Sequence, residues 1–314
     1  MSAVRDVHHE TLEAPEVSTA VYRVRRADGR YTWLETVSRA IREGGDVTEI
    51  LCSSRDVTAR ETERLAAEDD RHRLLGQVRQ VLAERLIDPV LQPIVELSTG
   101  RVAGYEALAR FPLIATRPPN VWFAHAQRLG LGFELEILAV ERAIELLAAL
   151  PGGVWLSINA SPATVGSVRM LDVVRRAPAG RLIIELTEHA EIADYPGFNT
   201  AVTALRDHGV RLAVDDTGAG FASLRHILDL RPEVIKLDMS LTRHIHRDRA
   251  RRALVSALAE FALGLDADVV AEGIEEEAEL EELRGLGVGL GQGYYLGRPG
   301  PLGEVAGGDG AGSG

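Results

Sequence analysis

The chain is almost without lysine. Its thirty-five basic residues include a single one, Lys236, and every other cation is arginine. Cys52 is the only cysteine, which excludes an intramolecular disulfide and a thiolate zinc cluster. Aromatic residues are 5% of the 314, so aliphatic side chains must build the core. No apolar run reaches the roughly 18–20 residues of a transmembrane helix. Met1 to Ala20 is polar with mixed charge, unlike a secretory signal. Those absences predict a cytoplasmic protein with no membrane association. A net charge of −12 leaves no basic face for DNA or RNA, though a small phosphate-bearing ligand held through metal ions stays open.

Apolar residues make up 46% of the chain, ample for a core, and the length suggests roughly one or two domains. Residues 1–19 read as a flexible N-terminus. Residues 20–57 alternate in the manner of strands, with turns at Ala27-Asp28-Gly29-Arg30 and Glu43-Gly44-Gly45-Asp46, and predict a three-stranded antiparallel meander. Residues 58–86 are charged, free of proline and carry leucines and valines at spacings of three and four. They predict a connecting, signalling helix, either a coiled-coil seam or a helix packed on its own domain. Residues 303–314 are glycine-rich and read as a disordered tail.

Between them, residues 87–302 alternate short apolar runs with helix patterns such as Phe133–Leu150 and Ala250–Leu263. The runs are Val90–Leu97, Val102–Leu108, Val154–Ile158, Leu182–Leu186, Leu212–Val214, Val234–Leu237, Asp268–Ala271 and Val288–Leu296. Eight such units predict an α/β fold, a closed TIM-type (β/α)8 barrel. The tight turn Leu97-Ser98-Thr99-Gly100-Arg101 predicts that one strand is antiparallel. Trp122 and Trp155 fall in apolar patterns and read as core. His244 and His246 read as solvated surface, as do Arg247 to Arg252.

Polar residues gather where these runs end. Glu106 interrupts an apolar strand, Asn159 ends another, and Glu185 and Glu188 follow on the next. Asp215 and Asp216 close the fifth run. Lys236 and Asp238 occupy the sixth, and Glu272 and Glu275 follow the seventh. In a barrel, these ends converge on one face, where such folds place active sites. So many carboxylates cannot stay ionised together without cations, and one lysine cannot balance them. All-oxygen donors suit Mg2+ or Mn2+, and the paired Asp215 and Asp216 invite a two-metal site of the kind that hydrolyses phosphoesters. The Gly218-Ala219-Gly220 loop after them reads as a lid or a phosphate approach.

The ordered set from Gln92 to Pro299 resembles an EAL-domain phosphodiesterase of cyclic di-GMP. The segments carrying the likeness are Gln92-Pro93-Ile94-Val95, Glu106-Ala107-Leu108-Ala109-Arg110, Asn159-Ala160-Ser161, Glu185-Leu186-Thr187-Glu188 and Asp215-Asp216. Lys236-Leu237-Asp238, Glu272-Gly273-Ile274-Glu275 and Gly291-Gln292-Gly293-Tyr294 complete them. The resemblance implies hydrolysis of cyclic di-GMP to linear pGpG with two divalent ions. It implies Glu106, Asn159, Glu185 and Asp215 at the first ion, with Asp215 bridging to a second held by Asp216 and by Glu272, directly or through water. Lys236 would hold the attacking water or assist its proton transfer, and Lys236, Glu272 and Glu106 form the implied catalytic set. Arg110 would meet a phosphate, Gln92 a guanine, and Gln292 would line the substrate side. Glu188 would anchor the lid loop, with Glu275 and Asp238 supporting the site. A homodimer through the barrel is implied as well. Thr217, Phe221-Ala222-Ser223 and Leu91 depart from the family pattern, at positions that bear on the lid and dimer coupling rather than on metal binding.

Residues 20–57 and their exit, Ser54 to Glu61, resemble the second half of a PAS sensor domain, without its first half. The main competing expectation for the whole is a non-catalytic cyclic di-GMP receptor. A protein-interaction barrel and an enzyme for another metal-bound phosphate ester are the remaining ones.

Overall fold

The computed structural model describes residues 17–114, 116–186, 192, 194–217 and 227–305, with 216 and 217 described by backbone alone. The chain forms two compact units, residues 1–76 and 77–314.

The first unit holds strands β1 (Ser18–Arg25), β2 (Tyr31–Glu43) and β3 (Asp46–Asp56), all antiparallel in the order β1-β2-β3. The expected meander is therefore present. Its inner face is lined with hydroxyls rather than a large apolar core. Tyr22 and Ser54 both bond to Thr36 Oγ1, at 2.8 and 2.7 Å, and Ser38 Oγ lies 3.3 Å from Cys52 Sγ. Asp56 closes the sheet onto the start of helix α1 (Thr58–Glu84). It accepts bonds from the Thr58 backbone N–H at 2.9 Å and from Thr32 Oγ1 at 2.8 Å, and pairs with Arg26. The division between the units falls inside α1.

In the second unit, the last turns of α1 bury Val78 and Val81 against Phe111, Trp122, Leu135 and Leu138. Of the two expectations for this helix, packing on a domain holds for its C-terminal end. Arg85, in the left-handed conformation at φ 53°, ends it.

The barrel follows. Strands β4 (Val90–Glu96) and β5 (Val102–Leu108) form a hairpin, then helices α2 (Pro119–Arg128) and α3 (Gly132–Leu147) lead to β6 (Trp155–Asn159). Helix α4 (Val168–Val174), β7 (Leu182–Leu186), α5 (Tyr195–Arg206), β8 (Arg211–Thr217) and β9 (Val234–Leu237) come next. Helices α6 (Met239–Thr242) and α7 (Arg249–Leu263), strand β10 (Asp268–Ala271), α8 (Glu277–Gly285) and β11 (Leu290–Gly291) complete the ring. The eight strands close as β10-β11-β4-β5-β6-β7-β8-β9, and β4 runs antiparallel to both neighbours. The fold is the mixed α/β barrel that the sequence predicts. Its strand limits shift by no more than a residue, except at Leu212–Val214, which extends to Arg211–Thr217, and at Val288–Leu296. There only Leu290 and Gly291 pair, because the chain then bends round Ile274: a Cβ at Gly293 would sit 2.2 Å from the Ile274 backbone.

Side chains alternate across each strand. Leu91, Tyr105, Leu156, Leu182, Leu212, Ile235 and Val269 face outward and join the buried cluster containing Val140, Phe198 and Leu283 from the helices. Ile94, Trp155, Ile183, Ala213, Val234 and Val270 form the separate interior cluster. Trp155 fills so much of this interior that β5 must yield a glycine: a Cβ on Gly104 would lie 2.2 Å from the indole. Arg211 lies over the same ring at 5.4 Å. This apolar layer is the floor of the site.

Candidate active site

One step of alternation above that floor, the interior positions turn polar. Glu185, Asp215, Lys236 and Glu272 each stand two residues after an interior apolar residue. Gln92 stands two residues before Ile94, because β4 runs the other way. The pattern therefore puts all these side chains at one mouth, and the distances agree.

Lys236 is the centre. It is 1% exposed, and its Nζ lies 2.7 Å from Glu272, 2.8 Å from Glu185, 3.2 Å from Asp215 and 3.5 Å from Glu106. Glu106 also accepts from Asn159 Nδ2 at 2.9 Å and from Gln292 Nε2 at 2.7 Å. Gln292 donates to Gln92 Oε1 at 3.0 Å as well, and Gln92 donates to the Gly297 carbonyl at 3.2 Å. The two glutamines thus lock β4 to the chain after β11.

The protonation balance follows from burial and charge. Burial acts to lower Lys236, but the charges of Glu106, Glu185, Glu272 and Asp215 outweigh it and hold the ammonium well above its ordinary range. Burial pushes Glu185 well above the usual carboxylate range, with Glu106 and Asp215 adding to it against the pull of Lys236. Burial, then the neighbouring Asp215 and Glu106 charges, carry Glu272 to about 7 despite Lys236. Burial also acts to raise Glu106, but Lys236 and the amides of Gln292 and Asn159 outweigh it and keep that group low. One ammonium thus serves four carboxylates and does not satisfy them all.

The residues fit divalent cations. The donor set is all oxygen, which suits hard ions. Gln292 Oε1 is buried without a hydrogen-bond partner and Asp215 Oδ1 has only the shared Lys236 ammonium at 3.2 Å, so acceptors remain unspent. The cavity above them is about 300 Å³, with Met239, Arg243, Gly273, Glu275 and Tyr294 around its rim.

The structure brings Gln92, Glu106, Asn159, Glu185, Asp215, Lys236, Glu272 and Gln292 together, and Glu275 lines the same cavity. Asp216 has its backbone in β8, and its side chain lies outside the described atoms, as does Thr217's. Glu188, the 218–223 loop and residues 306–314 of the tail lie outside the described residues. Asp238 instead caps α6, accepting from Ser240 N at 2.8 Å. Arg110 opens onto a separate cavity of about 320 Å³ with Asp88 and Arg117, and donates to the Ala109 carbonyl. The strand stops at Leu108, so spacing from Glu106 no longer fixes its direction. Trp122 and Trp155 are core, as expected. His244 is exposed, but His246 is half-buried. Arg251 and Arg252 are not a free solvated face, because both donate to backbone carbonyls of the preceding turn.

Sequence reasoning missed Arg243 and Gly273. Gly273 has φ +66°, and a Cβ there would lie 2.6 Å from Met239 Cβ, so only glycine lets the two loops meet. The available signal was the Glu-Gly-Ile-Glu spacing itself. Arg243 offered none: it is one of many arginines and lies beyond the strand that carries Lys236.

Fold and mouth define a class: an α/β barrel with one reversed strand and an all-oxygen site suited to holding cations. The comparisons narrow it. The EAL domain family model matches residues 76–299, and the chain belongs to that family. MucR of Pseudomonas aeruginosa, named a bifunctional diguanylate cyclase/cyclic di-GMP phosphodiesterase, is 30% identical over 244 residues, 74% of this chain and 36% of that protein. A signalling protein of Caulobacter vibrioides is 32% identical over 241 residues, 74% of this chain and 30% of the other. The structure of the MucR phosphodiesterase in complex with c-di-GMP matches at TM-score 0.66 and 28% identity, covering 74% of this chain and 99% of that one. BlrP1 of Klebsiella pneumoniae, solved with manganese and cyclic di-GMP, matches at TM-score 0.62 and 32% identity, covering 68% and 56%. The chain spans about a third of the length of the curated relatives it matches. No helix among the described residues is long and apolar enough to cross a membrane.

Proposed function

We propose that this chain is a metal-dependent phosphodiesterase that opens cyclic di-GMP to linear pGpG. The observation that carries the reading is the ring of Glu106, Glu185, Asp215 and Glu272 about the single ammonium of Lys236. Glu106, Asn159, Glu185, Asp215, Asp216 and Glu272 are the residues that would hold Mg2+ or Mn2+. Bound there, such ions supply acidified water and charge stabilisation at phosphorus.

The chain's own groups do the rest. Lys236, fixed by four carboxylates, presents its N–H donors at one point and can hold an attacking oxygen in place. Glu272, carried up to about 7 by burial and the neighbouring Asp215 and Glu106 charges in the metal-free site, is a carboxylate whose ionised form a bound cation would restore. Gln292 and Asn159 keep Glu106 ionised and oriented. The apolar floor of Ile183, Ala213, Val234 and Val270 keeps bulk water from entering below.

The same reading carries a cytoplasmic setting and a homodimer through the barrel unit, which light scattering of the full chain tests. For the chemistry, purified protein is incubated with cyclic di-GMP and Mg2+ or Mn2+, and pGpG is followed. Release of pGpG that stops on chelation is the expected result. Tight binding without release would move the chain to the receptor reading, and neither binding nor release would remove the nucleotide from the account.

A further inference from the structure

A cyclic dinucleotide has two phosphates, and only one can sit where Lys236 meets the carboxylates. The other needs a cation of its own. Among the described residues that line the cavity, Lys236 and Arg243 are the cationic ones. Lys236 stands among the carboxylates, at the end of the cavity where the cleaved phosphate would sit. Arg110 opens elsewhere.

Arg243 stands at the rim, on the residue that follows α6. Its Nη2 meets Glu275, while its Nε is buried with no hydrogen-bond partner. A guanidinium has five N–H donors in a planar fork, and such forks match phosphate oxygens. Arg243 lines the concave site beside Glu275, and its guanidinium keeps N–H donors that no protein acceptor takes.

The side chain is also anchored at its base. Arg251 Nη1 donates to the Arg243 carbonyl. The next backbone N–H, that of His244, donates to Glu279 Oε1 at 2.7 Å. Glu279 Oε2 accepts the N–H groups of Glu275 and Glu276 at 2.9 and 3.1 Å. A single buried carboxylate therefore fixes the backbone on both sides of the Arg243–Glu275 pair. Thr242 Oγ1, one residue earlier, bonds to the carbonyl of Glu272. The rim arginine is thus tied to the strand end that carries a site carboxylate.

We infer that Arg243 is a further substrate-binding residue, whose guanidinium holds the phosphate of the cyclic dinucleotide that is not cleaved. Glu275 is its counter-ion in the absence of that phosphate. The inference rests on the phosphodiesterase reading.

The test is steady-state hydrolysis of cyclic di-GMP by the full chain, comparing wild type with Arg243→Gln and Arg243→Lys. Loss of one charge-assisted contact should raise KM about tenfold in the Gln variant, with kcat changed by less than about threefold. The Lys variant should fall between, because it keeps a point charge and loses the fork. An unchanged KM in the Gln variant, or a fall in kcat at constant KM, overturns the assignment. If the Gln variant fails to fold by circular dichroism, the Lys variant decides, and an unchanged KM in it overturns the assignment. If wild type releases no pGpG, the phosphodiesterase reading fails on its own. Calorimetric binding of cyclic di-GMP then decides the role of Arg243: about tenfold weaker binding by the Gln variant supports it, and equal binding overturns it.

Discussion

Lys236 and Glu272 meet at 2.7 Å across the neighbouring strands β9 and β10, although 36 positions separate them in the chain. Their contact sets the balance of the whole mouth. The ammonium is the one interior cation among Glu106, Glu185, Asp215 and Glu272, and its removal leaves four acids facing one another.

Lys236→Ala should therefore act twice. Without metal, breaking the buried cluster should cost about 3–5 kcal/mol, read as a lower melting temperature in EDTA. With Mn2+ or Mg2+, metal binding should survive and the gap between variant and wild type should narrow. Turnover should still fall by about a hundredfold or more, the range for losing one preorganised donor at a reacting oxygen. A variant that turns over like wild type would return Lys236 to a compositional accident.

Asp215 Oδ1 is buried with only the shared Lys236 ammonium at 3.2 Å and no hydrogen bond, so it keeps an acceptor for a cation. Wild type should gain about 2.7 kcal/mol of stability at metal a hundredfold above Kd. Asp215→Asn should lose most of that gain while remaining folded. Thermal melts with and without Mn2+ read it directly, and equal metal-induced shifts in both proteins would remove Asp215 from the metal site.

The floor of the site depends on Gly104. A methyl there meets the Trp155 indole at 2.2 Å with backbone on one side and a packed interior on the other. Gly104→Ala should destabilise by about 1–3 kcal/mol through overpacking, measured by urea unfolding followed by tryptophan fluorescence. Trp155→Phe in the Gly104→Ala background should recover part of the loss. No recovery would mean that the strain lies elsewhere.

In the N-terminal unit, Asp56 is held down to about 2, first by its bonds from Thr58 and then by that from Thr32. The folded pKa lies below the unfolded value of about 3.9, so the carboxylate's contribution is complete above that value. It is lost as pH falls through about 2. Protection of the Thr58 amide against hydrogen exchange should decline across that window in wild type. In Asp56→Asn it should be lower and flat. A decline at the same pH in the Asn variant would assign it to another group.

Most of the barrel was legible because buried strands announce themselves as short β-branched runs such as Val234–Leu237 and Asp268–Ala271. The convergence of Glu106, Glu185, Asp215, Lys236 and Glu272 was legible for the same reason: each lies in the C-terminal half of such a run or just past it. Three features were not. Val288–Leu296 reads as a full strand, yet glycines at 291 and 293 let the chain fold onto Ile274. Gln92 and Gln292 read as separate ligand contacts, yet their bond is a long-range contact between β4 and the chain just after β11. Arg110 enters the expected site through the family resemblance alone, because β5 ends before it and periodicity gives its side chain no direction.

The reversed strand has a consequence for how the molecule reaches its native state. Gln92 and Glu106 are register partners across the β4–β5 hairpin, so this part of the site closes through a loop of a few residues. Hairpins form in about 1–10 μs, before distant strands can meet. Two pairs, Leu290 with Glu96 and Gly291 with Val95, bring the opposite end of the chain home to the same strand. The hairpin is thus a seed with high local contact, and β11 is the clasp. Native-state hydrogen exchange should find the clasp opening more readily than the seed, which makes the last two strand residues of the ring the gatekeepers of an intact active site.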